Sequence, residues 1–457
     1  MTRVVVLGGG LAGVLAAVAL TRHADQVVVL ESDHYPAGPR PRRGLPQSHH
    51  NHVLVTGGIR ALDELLPGVV DDLLNAGAHR RNMPGDCLIF SGEGWFHRVR
   101  TEADLIACSR PLLDEVVRRH AGIEVVQGVR AAGLTGDAGK VTGVRVATTP
   151  GGTLAGRPSE VAGLRATTGA SGSQTTGRPS EVTGLRTTTG ATLADLPDIA
   201  RTGLIRADLV VDATGRRSQA PGWLAALGVP AIEEVRVPSG VSYATRLYEG
   251  PGDIPAVMVH PKYAPARGGT LFPIEGGRWI VTMTGDPPLD EAGFLAYARE
   301  LRDPVIADLI AKAKPAGPIR PCHDTANRRR YFENAELPEG FLAVGDSVVT
   351  VNPVYSHGMS VAAMTASRIA KEGPGQRAVA EVADRSWRMA VAEPRKGGNA
   401  KVGRAVLSSP GLAAELFHGQ ALIPAVRDHH AVFRAMVDDL AEPLTAEQAI
   451  SQFAWAR

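Results

Sequence analysis

The sequence predicts an α/β chain: a domain with a parallel sheet, an antiparallel-sheet domain set into it, and a helical C-terminal region. Three observations carry this reading. A β-branched run, Arg3 to Leu7, passes through Gly8 to Gly13 into an Ala/Leu-rich stretch, Leu11 to Arg22, and then into a second apolar run, Val27 to Leu30. That is a strand, a tight turn, a helix and a parallel strand. In mid-chain the helical spacing disappears, and Thr270–Ile274 and Arg278–Thr284 flank Glu275-Gly276-Gly277 as a hairpin would. Phe341 to Val344 then returns to a buried strand, followed by helical spacing over Val361 to Lys371.

The elements follow in order. His34 to Asn51, rich in Pro, Arg and His, reads as a loop. Ile59 to Leu74 and Leu105 to Arg119 have helical spacing; Ile123–Gln127 and Val141–Ala147 read as strands. Gly156-Arg-Pro-Ser-Glu-Val-Ala-Gly-Leu-Arg165 then recurs as Gly177 to Arg186, a period of 21. A solenoid needs about three copies and an apolar stacking face. These copies are Thr/Gly/Ser-rich, so they read as a low-complexity insert at about 148–201 that lengthens one hairpin loop. Asp208 to Ala213 is a strand ending in Thr214-Gly215, and Ser239 to Leu247 alternates as a half-buried strand. The expected domains are 1–228 with 320–375, then 229–319 as the antiparallel unit, then a helical 376–457.

Composition bounds the function. Lys+Arg is 49 and Asp+Glu 47, a formal charge of +2, which argues against a partner recognised through phosphate charge such as nucleic acid. A chain of 457 residues, 44% hydrophobic and 21% charged, has a globular composition and needs no staple. Cys87, Cys108 and Cys322 lie far apart with no metal-binding spacing, and His49, His50 and His52 lack a companion ligand set. Val4 to Leu20 is 17 residues without a charge, short of the roughly 20 a membrane span needs. Its four glycines suit a signal peptide as poorly as a span. The expectation is a soluble cytoplasmic protein with no transmembrane segment.

Two motifs carry chemistry. In Gly8-x-Gly10-x-x-Gly13 the first glycine makes the tight turn and the second lets a pyrophosphate approach the backbone. The third lets helix and strand pack closely, and the helix start at Leu11 and Ala12 favours phosphate charge. Glu31, 18 residues beyond Gly13, ends the next strand, where it can accept ribose hydroxyls. An acid there disfavours a 2′-phosphate, so FAD or NAD fits better than NADP. The second motif is Gly340-Phe-Leu-Ala-Val-Gly-Asp346, followed by Asn352-Pro353 and His357-Gly358-Met359-Ser360. This Gly-Asp strand end can place a carboxylate on a ribityl hydroxyl and aim a helix start at the pyrimidine edge of a flavin. It can equally be an ordinary strand-to-helix connection with Asp346 as a cap.

Together GGGLAG, Glu31 and VGDSVVTVNPVYSHGMSVA resemble the FAD-dependent monooxygenases of the aromatic-hydroxylase type. Arg43-Gly-Leu-Pro-Gln-Ser-His-His-Asn-His52, Cys108-Ser-Arg110-x-x-Leu113, Asp212-Ala-Thr-Gly215 and Asn352 to Met359 are most similar to the olefin epoxidases of polyether antibiotic biosynthesis. The resemblance spans about Thr2 to Lys371 without the insert. It implies a Rossmann-like FAD-binding domain and an antiparallel substrate domain. Arg43 and Arg110 would lie near the ribityl and phosphate region, Asp346 on the ribityl chain, and Pro353, Gly358 and Met359 along the ring. Asp212 and Gly215 would belong to a strand end near the dinucleotide, although Asp212 can also simply cap the next turn; Arg43 can be one of several solvated loop cations.

What the resemblance implies about activity is an FAD-dependent monooxygenase that epoxidises carbon–carbon double bonds of a polyketide-like intermediate through a flavin C4a-hydroperoxide. Molecular oxygen would be co-substrate, and NAD(P)H the reductant, directly or through a flavin reductase, since no second GxGxxG exists. The flavin carries the reaction, so no catalytic side chain is expected. The absence of an evident acid/base pair favours an alkene over a phenol, which would gain from a base. Tyr243, Phe272 and Met283 are candidate walls for an apolar substrate, and equally candidates for core packing. A phenol hydroxylase and a non-oxygenating FAD dehydrogenase or reductase are the alternatives. Flavin halogenases use an early Lys and a Trp-x-Trp motif; here no Lys precedes Lys140 and no Trp-x-Trp occurs.

Overall fold

A computed structural model describes residues 2–90, 94–96, 98, 100–149, 203–239, 241–261, 267–353 and 356–391. The repeated insert and the region 392–457 lie outside the described residues.

The first domain is built on five parallel strands in the order Phe341–Ala343, Leu209–Asp212, Arg3–Leu7, Gln26–Glu31, Val125–Gln127. Arg3–Leu7 is central because its valines can be buried on both faces; Val4 to Leu7 are at most 1% exposed. Chain order reverses on either side of this strand, with Leu7 beside both Leu30 and Asp212. Such a switch point leaves a crevice at the C-terminal strand ends. The helix Leu11–Leu20 is apolar all round, and all but one of its residues are buried. A helix of that composition needs cover on every side. The sheet covers it, and the helix Gly358–Glu372 packs across it. Gly358–Glu372 also meets Thr56–Leu65 so closely that a Cβ on Gly58 would lie 2.4 Å from Ser360 Oγ.

The antiparallel sheet runs Lys314–Pro315, Ser242–Glu249, Arg278–Gly285, Gly268–Ile274, Ala256–Val259, Cys87–Phe90. Both faces are covered. Ala244, Tyr248, Leu271, Trp279, Val281 and Met283 point outward, into a core with the helices Glu291–Arg299 and Val305–Ile310. Phe272, Ile274 and Ile280 point inward, against Val53, Leu105 and Ala107 of the first domain. The Glu275-Gly276-Gly277 hairpin forms as expected, with φ of +73° and +65° at the two glycines and Ile274 opposite Arg278.

Three expectations need correction. Ile59–Leu74 is not one helix: Pro67 and Gly68 (φ +86°) divide it into Thr56–Leu65 and Val69–Asn75. Leu105 is not helical, because Asp104–Ala107 is a strand. The following helix begins at Arg110, where Ser109 Oγ accepts from Leu112 N at 3.2 Å and Pro111 occupies the first turn. The antiparallel unit is not confined to 229–319, since Cys87–Phe90 adds its far edge and Arg320–Cys322 pairs with Tyr243–Thr245. Of the expected helical region 376–457, the described part is one helix, Gln376–Val391, packed on Gly358–Glu372. Among the described residues no helix is long and apolar enough to cross a membrane.

The insert leaves and re-enters through paired strands. Val141–Thr148 is antiparallel to Leu204–Arg206, Arg145 faces Leu204, and Val146 N donates to Gly203 O at 2.8 Å. The chain ends that bracket the insert are therefore already held as a hairpin stem, and loop length costs little once a stem closes it. Replacing residues 150–202 by a four-residue Gly/Asn turn is expected to leave the thermal midpoint within about 3 °C. A drop of 10 °C in calorimetry would show that the segment contributes to the folded core.

Candidate cofactor site

The site begins with backbone geometry. Three parallel strands run out together: Gly8 N donates to Leu30 O, Ala213 N to Leu7 O and Val344 N to Asp212 O, at 2.8–2.9 Å. Gly8 takes φ +100°, and a Cβ there would lie 2.6 Å from Ala213 O. A Cβ on Gly13 would lie 1.9 Å from Gly8 O. Gly10, by contrast, has nothing within 4 Å of its Cβ position. Two of the motif glycines let the chain touch itself, while the middle one faces open space. The helix beyond it has no side-chain cap and no acid in its first turn, so the N–H groups at Leu11 and Ala12 are left to serve another acceptor.

The second motif docks on the first. Gly345 takes φ +62°, and a Cβ there would be 2.7 Å from Ala12 Cβ. Asp346 is thereby brought beside the first helix, with Gly215 facing its Cβ at 3.8 Å and Gly358 facing its Oδ1 at 3.9 Å, measured to their Cβ positions. Gly215 N donates to Ser347 Oγ at 2.9 Å, tying the two strand ends together. The half-buried Asp346 carboxylate makes no hydrogen bond among the described residues. Burial raises its pKa, against the pull of Arg110, Arg216 and Arg328. The helix Gly358–Glu372 starts here with no acid in its first turn.

Glu31 is 5% exposed. Its Oε2 accepts Gly9 N at 2.9 Å and its Oε1 accepts Asp33 N at 2.8 Å. Arg42 Nη1 stands 3.2 Å from Oε2, and Tyr35 OH donates to Gly9 O at 2.8 Å. Tyr35 lies between two guanidiniums, Arg42 at 5.0 Å and Arg118 at 3.9 Å from its ring centre. The loop cation at the site is thus Arg42. Arg43, the expected residue, is exposed and forms no ion pair among the described residues. Asp33 decides between the two: its Oδ2 accepts Gly44 N at 2.6 Å and fixes the loop so that the first arginine of the pair turns inward.

The other predicted residues divide. Arg110 is buried and faces Asp346, but its Nε donates to Asp114 Oδ1 at 2.7 Å, so one helical turn supplies the anion that a cation at a helix start requires. Asp212 is fully buried and spent on the turn: Thr214 N at 3.0 Å, Thr214 Oγ1 at 2.5 Å and Ser218 Oγ at 2.5 Å all donate to it. It caps the strand end through three hydrogen bonds within its own turn. Pro353 is half-buried and Gly358 exposed, whereas the Met359 side chain belongs to the main core. Of the proposed wall residues, Met283 points to the outer core, away from the site. Phe272 is inward but packed among Val53, Leu105 and Ala107. Tyr243 is inward and 4% exposed; burial raises its pKa, and the neighbouring Cys322 thiol adds to the rise.

The inner face beside Tyr243 holds Thr245 and Thr282, which sequence spacing did not single out, and His50, which it weighed only as a metal ligand. His50 meets the Tyr243 ring edge-on at 5.0 Å, and its Nδ1 lies 3.1 Å from Thr245 Oγ1, which is itself 2.8 Å from Thr282 Oγ1. Burial, with His49 and Arg320 adding to it, holds the His50 pKa down to about 4. His52 is held down to about 3 by burial and then by Arg110. Both are neutral at ordinary pH. Among the described residues no group of His, Cys, Asp and Glu could hold a metal ion.

No family model matches the sequence. It is 28% identical over 378 residues to Protein Rv3254 of Mycobacterium tuberculosis (strain ATCC 25618 / H37Rv), across 80% of this chain and 71% of that protein. Solved structures resemble it in fold. A triple mutant of the flavin-dependent brominase Bmp2 aligns with a TM-score of 0.59 at 16% identity, covering 95% of this chain and 98% of that one. PqsL from Pseudomonas aeruginosa, described as a probable FAD-dependent monooxygenase, gives 0.56 at 14%, covering 92% and 98%. The p-nitrophenol 4-monooxygenase PnpA from Pseudomonas putida DLL-E4 gives 0.55 at 17%, covering 96% and 99%. The predicted fold class is thereby established: the mixed α/β architecture is shared with these solved structures.

Two predictions follow from the geometry. Gly13→Ala puts a methyl on the Gly8 carbonyl and should abolish folding or lower the thermal midpoint by more than 10 °C, while Gly10→Val, which has room, should leave it within about 3 °C. Equal melting of the two variants would disprove the division of roles. For His50, the folded pKa lies below the unfolded value of 6.5, so its contribution is present above that pH and is lost as pH falls towards 4. Urea unfolding should show about 3 kcal/mol of acid-induced loss between pH 7 and 4 that His50→Gln removes; an unchanged pH slope in the variant would refute it.

Proposed function

We propose that this chain is an FAD-dependent monooxygenase that inserts one oxygen atom into a largely apolar small molecule. Epoxidation of a carbon–carbon double bond in a polyketide-like intermediate is the reaction it supports best. The observation that carries the reading is the meeting of the two motifs. Gly10 opens space at one uncapped helix start, and Asp346, with free acceptor oxygens, stands at another.

These residues fit FAD. The N–H groups at Leu11 and Ala12 would hold the pyrophosphate, with Gly10 leaving it room. Glu31 would take the ribose, with Arg42 and Tyr35 alongside. Asp346 would accept from the ribityl chain, with Gly215 and Arg110 beside it, and the start of helix Gly358–Glu372 would favour negative charge near Pro353 and Gly358. When bound, the flavin supplies reducing electrons to molecular oxygen and the reactive oxygen to the substrate. The electrons would come from NAD(P)H, directly or through a flavin reductase.

The chain's own part is binding, orientation and exclusion of water. Thr245 Oγ1 pairs with both Thr282 Oγ1 and His50 Nδ1 on the inner face near Tyr243, which leaves no strong acid or base there. His50 is a poor general base because burial keeps its pKa near 4. That observation favours epoxidation over hydroxylation of a phenol, which gains from deprotonation. Among the described residues all four lysines are exposed, and Lys140, Lys314 and Lys371 are engaged at the surface with Glu339, Glu249 and Glu64, an arrangement that supports oxygen insertion over halogenation.

The test has two stages. Fluorescence titration with FAD should saturate the wild type, while Asp346→Ala and Gly10→Val weaken binding at least tenfold and Arg42→Ala weakens it more than Arg43→Ala. Full affinity in Asp346→Ala and Gly10→Val would remove the site assignment. Reduced holoprotein mixed with oxygenated buffer, with and without alkenes, should then show an absorbing species distinct from oxidised and reduced flavin and yield an epoxide. Direct return to oxidised flavin with stoichiometric peroxide under every condition would instead indicate a dehydrogenase or reductase.

A further inference from the structure

Four buried side-chain atoms without a hydrogen-bond partner among the described residues belong to side chains that line a single cavity. They are Arg42 Nη1, Ser48 Oγ, Asp114 Oδ2 and Glu115 Oε2. Leaving a buried polar atom unpaired is costly, and folded proteins pair nearly all of them. Four such atoms around one space point to a partner held between them.

The cavity lies between the loop that follows Gln26–Glu31 and the helix Arg110–Ala121. The helix supplies Arg110, Asp114 and Arg118 at four-residue spacing, so the three share one face. Arg110 Nε donates to Asp114 Oδ1 at 2.7 Å, which leaves the second Asp114 oxygen for the cavity. The loop supplies Ser48, 5% exposed, and Arg42, whose side chain is 7% exposed. Arg42 Nη1 stands 3.2 Å from Glu31 Oε2 without the alignment of a hydrogen bond, while its Nη2 donates to Gly9 O at 3.3 Å.

Size and chemistry select the occupant. The cavity leaves about 10 Å³ for the centre of a water molecule, the room that a single water needs. The guanidinium nitrogen can only donate, the two carboxylate oxygens accept, and the serine hydroxyl can do either. A water that accepts from Arg42 and Ser48 and donates to Asp114 and Glu115 uses both of its hydrogens and both of its lone pairs. A cation there would meet the Arg42 guanidinium, and an anion would meet two carboxylates.

We propose that one structural water occupies this cavity and bridges Asp114 to Arg42, which makes Asp114 the positioning residue that couples the two arginines beside the cofactor site. The inference rests on the FAD-dependent reading above and deepens it. Asp114 fixes Arg110 directly and Arg42 through the water. Arg42 stands on Glu31 and Gly9, where the ribose and pyrophosphate would lie, and Arg110 acts on Asp346 at the ribityl end. Ordering either arginine therefore orders the other, and the loop is set for both ends of the cofactor at once.

Two measurements test it. A crystal structure of the full chain, at a resolution that shows ordered water, should place one water within about 3.2 Å of Arg42 Nη1, of Asp114 Oδ2 and of Ser48 Oγ or Glu115 Oε2. Direct pairing of these side chains, or ordered density there without that water, overturns the proposal. FAD titration then reads the coupling through a double-mutant cycle. Arg42→Ala and Arg110→Ala should each weaken binding, and their combined loss should be at least fivefold smaller than the product of the two. Asp114→Ala removes the link, and Ser48→Val puts a methyl in the water's place. In either background the two losses should multiply to within about twofold. Multiplying losses in the wild-type background overturn the proposal, because the arginines would then act independently. Coupling that persists in folded Ser48→Val overturns it too, because the water would then carry none of it. Circular dichroism establishes that each variant is folded; if Asp114→Ala is not, Ser48→Val decides. Failure of the wild type to bind FAD would instead refute the underlying function, and the crystal structure would still decide the water.

Discussion

Everything at the site depends on how closely the chain passes itself at the end of its first strand. Gly13 lies against the Gly8 carbonyl, Gly8 against the Ala213 carbonyl, and Gly345 against Ala12, each at a distance that a side chain would violate. These three contacts draw the ends of strands Arg3–Leu7, Leu209–Asp212 and Phe341–Ala343 together, although they come from opposite ends of the sequence. Without them Glu31 and Asp346 would be carboxylates on separate elements. With them, both stand beside the start of one buried helix. Asp212 serves the same end by a different route: fully buried and hydrogen-bonded by Thr214 and Ser218, it holds the middle strand end in the shape that Gly8 needs.

Much of this was legible in the sequence because it rests on backbone chemistry, which residue type reports directly. Glycines at fixed offsets after a valine run, an acid ending the next strand, and a Gly-Asp strand end before a helix keep their meaning whatever the surroundings. The misreadings share another cause. Arg42 and Arg43 are chemically identical, and their order at the site is set by an Asp33–Gly44 hydrogen bond inside an irregular loop, where no period exists to read. Met283 was assigned to the wrong face because Arg278–Gly285 is buried on both sides, so the alternation that marks inside from outside is absent. Cys87–Phe90 joins a sheet whose next strand lies more than 160 residues away, a pairing no local pattern encodes. The tyrosine between Arg42 and Arg118 was missed for the same reason.

The electrostatics of the crevice follow from burial. Buried carboxylates are stable as anions only with donors or cations close by. Glu31 meets that need with backbone N–H groups and Arg42, and Asp212 with hydroxyls. Asp346 has neither. Burial pushes it towards the neutral form, and three arginines at longer range push it back. A carboxylate left in that state is a strong acceptor lacking a donor, which is what a polyhydroxyl chain supplies.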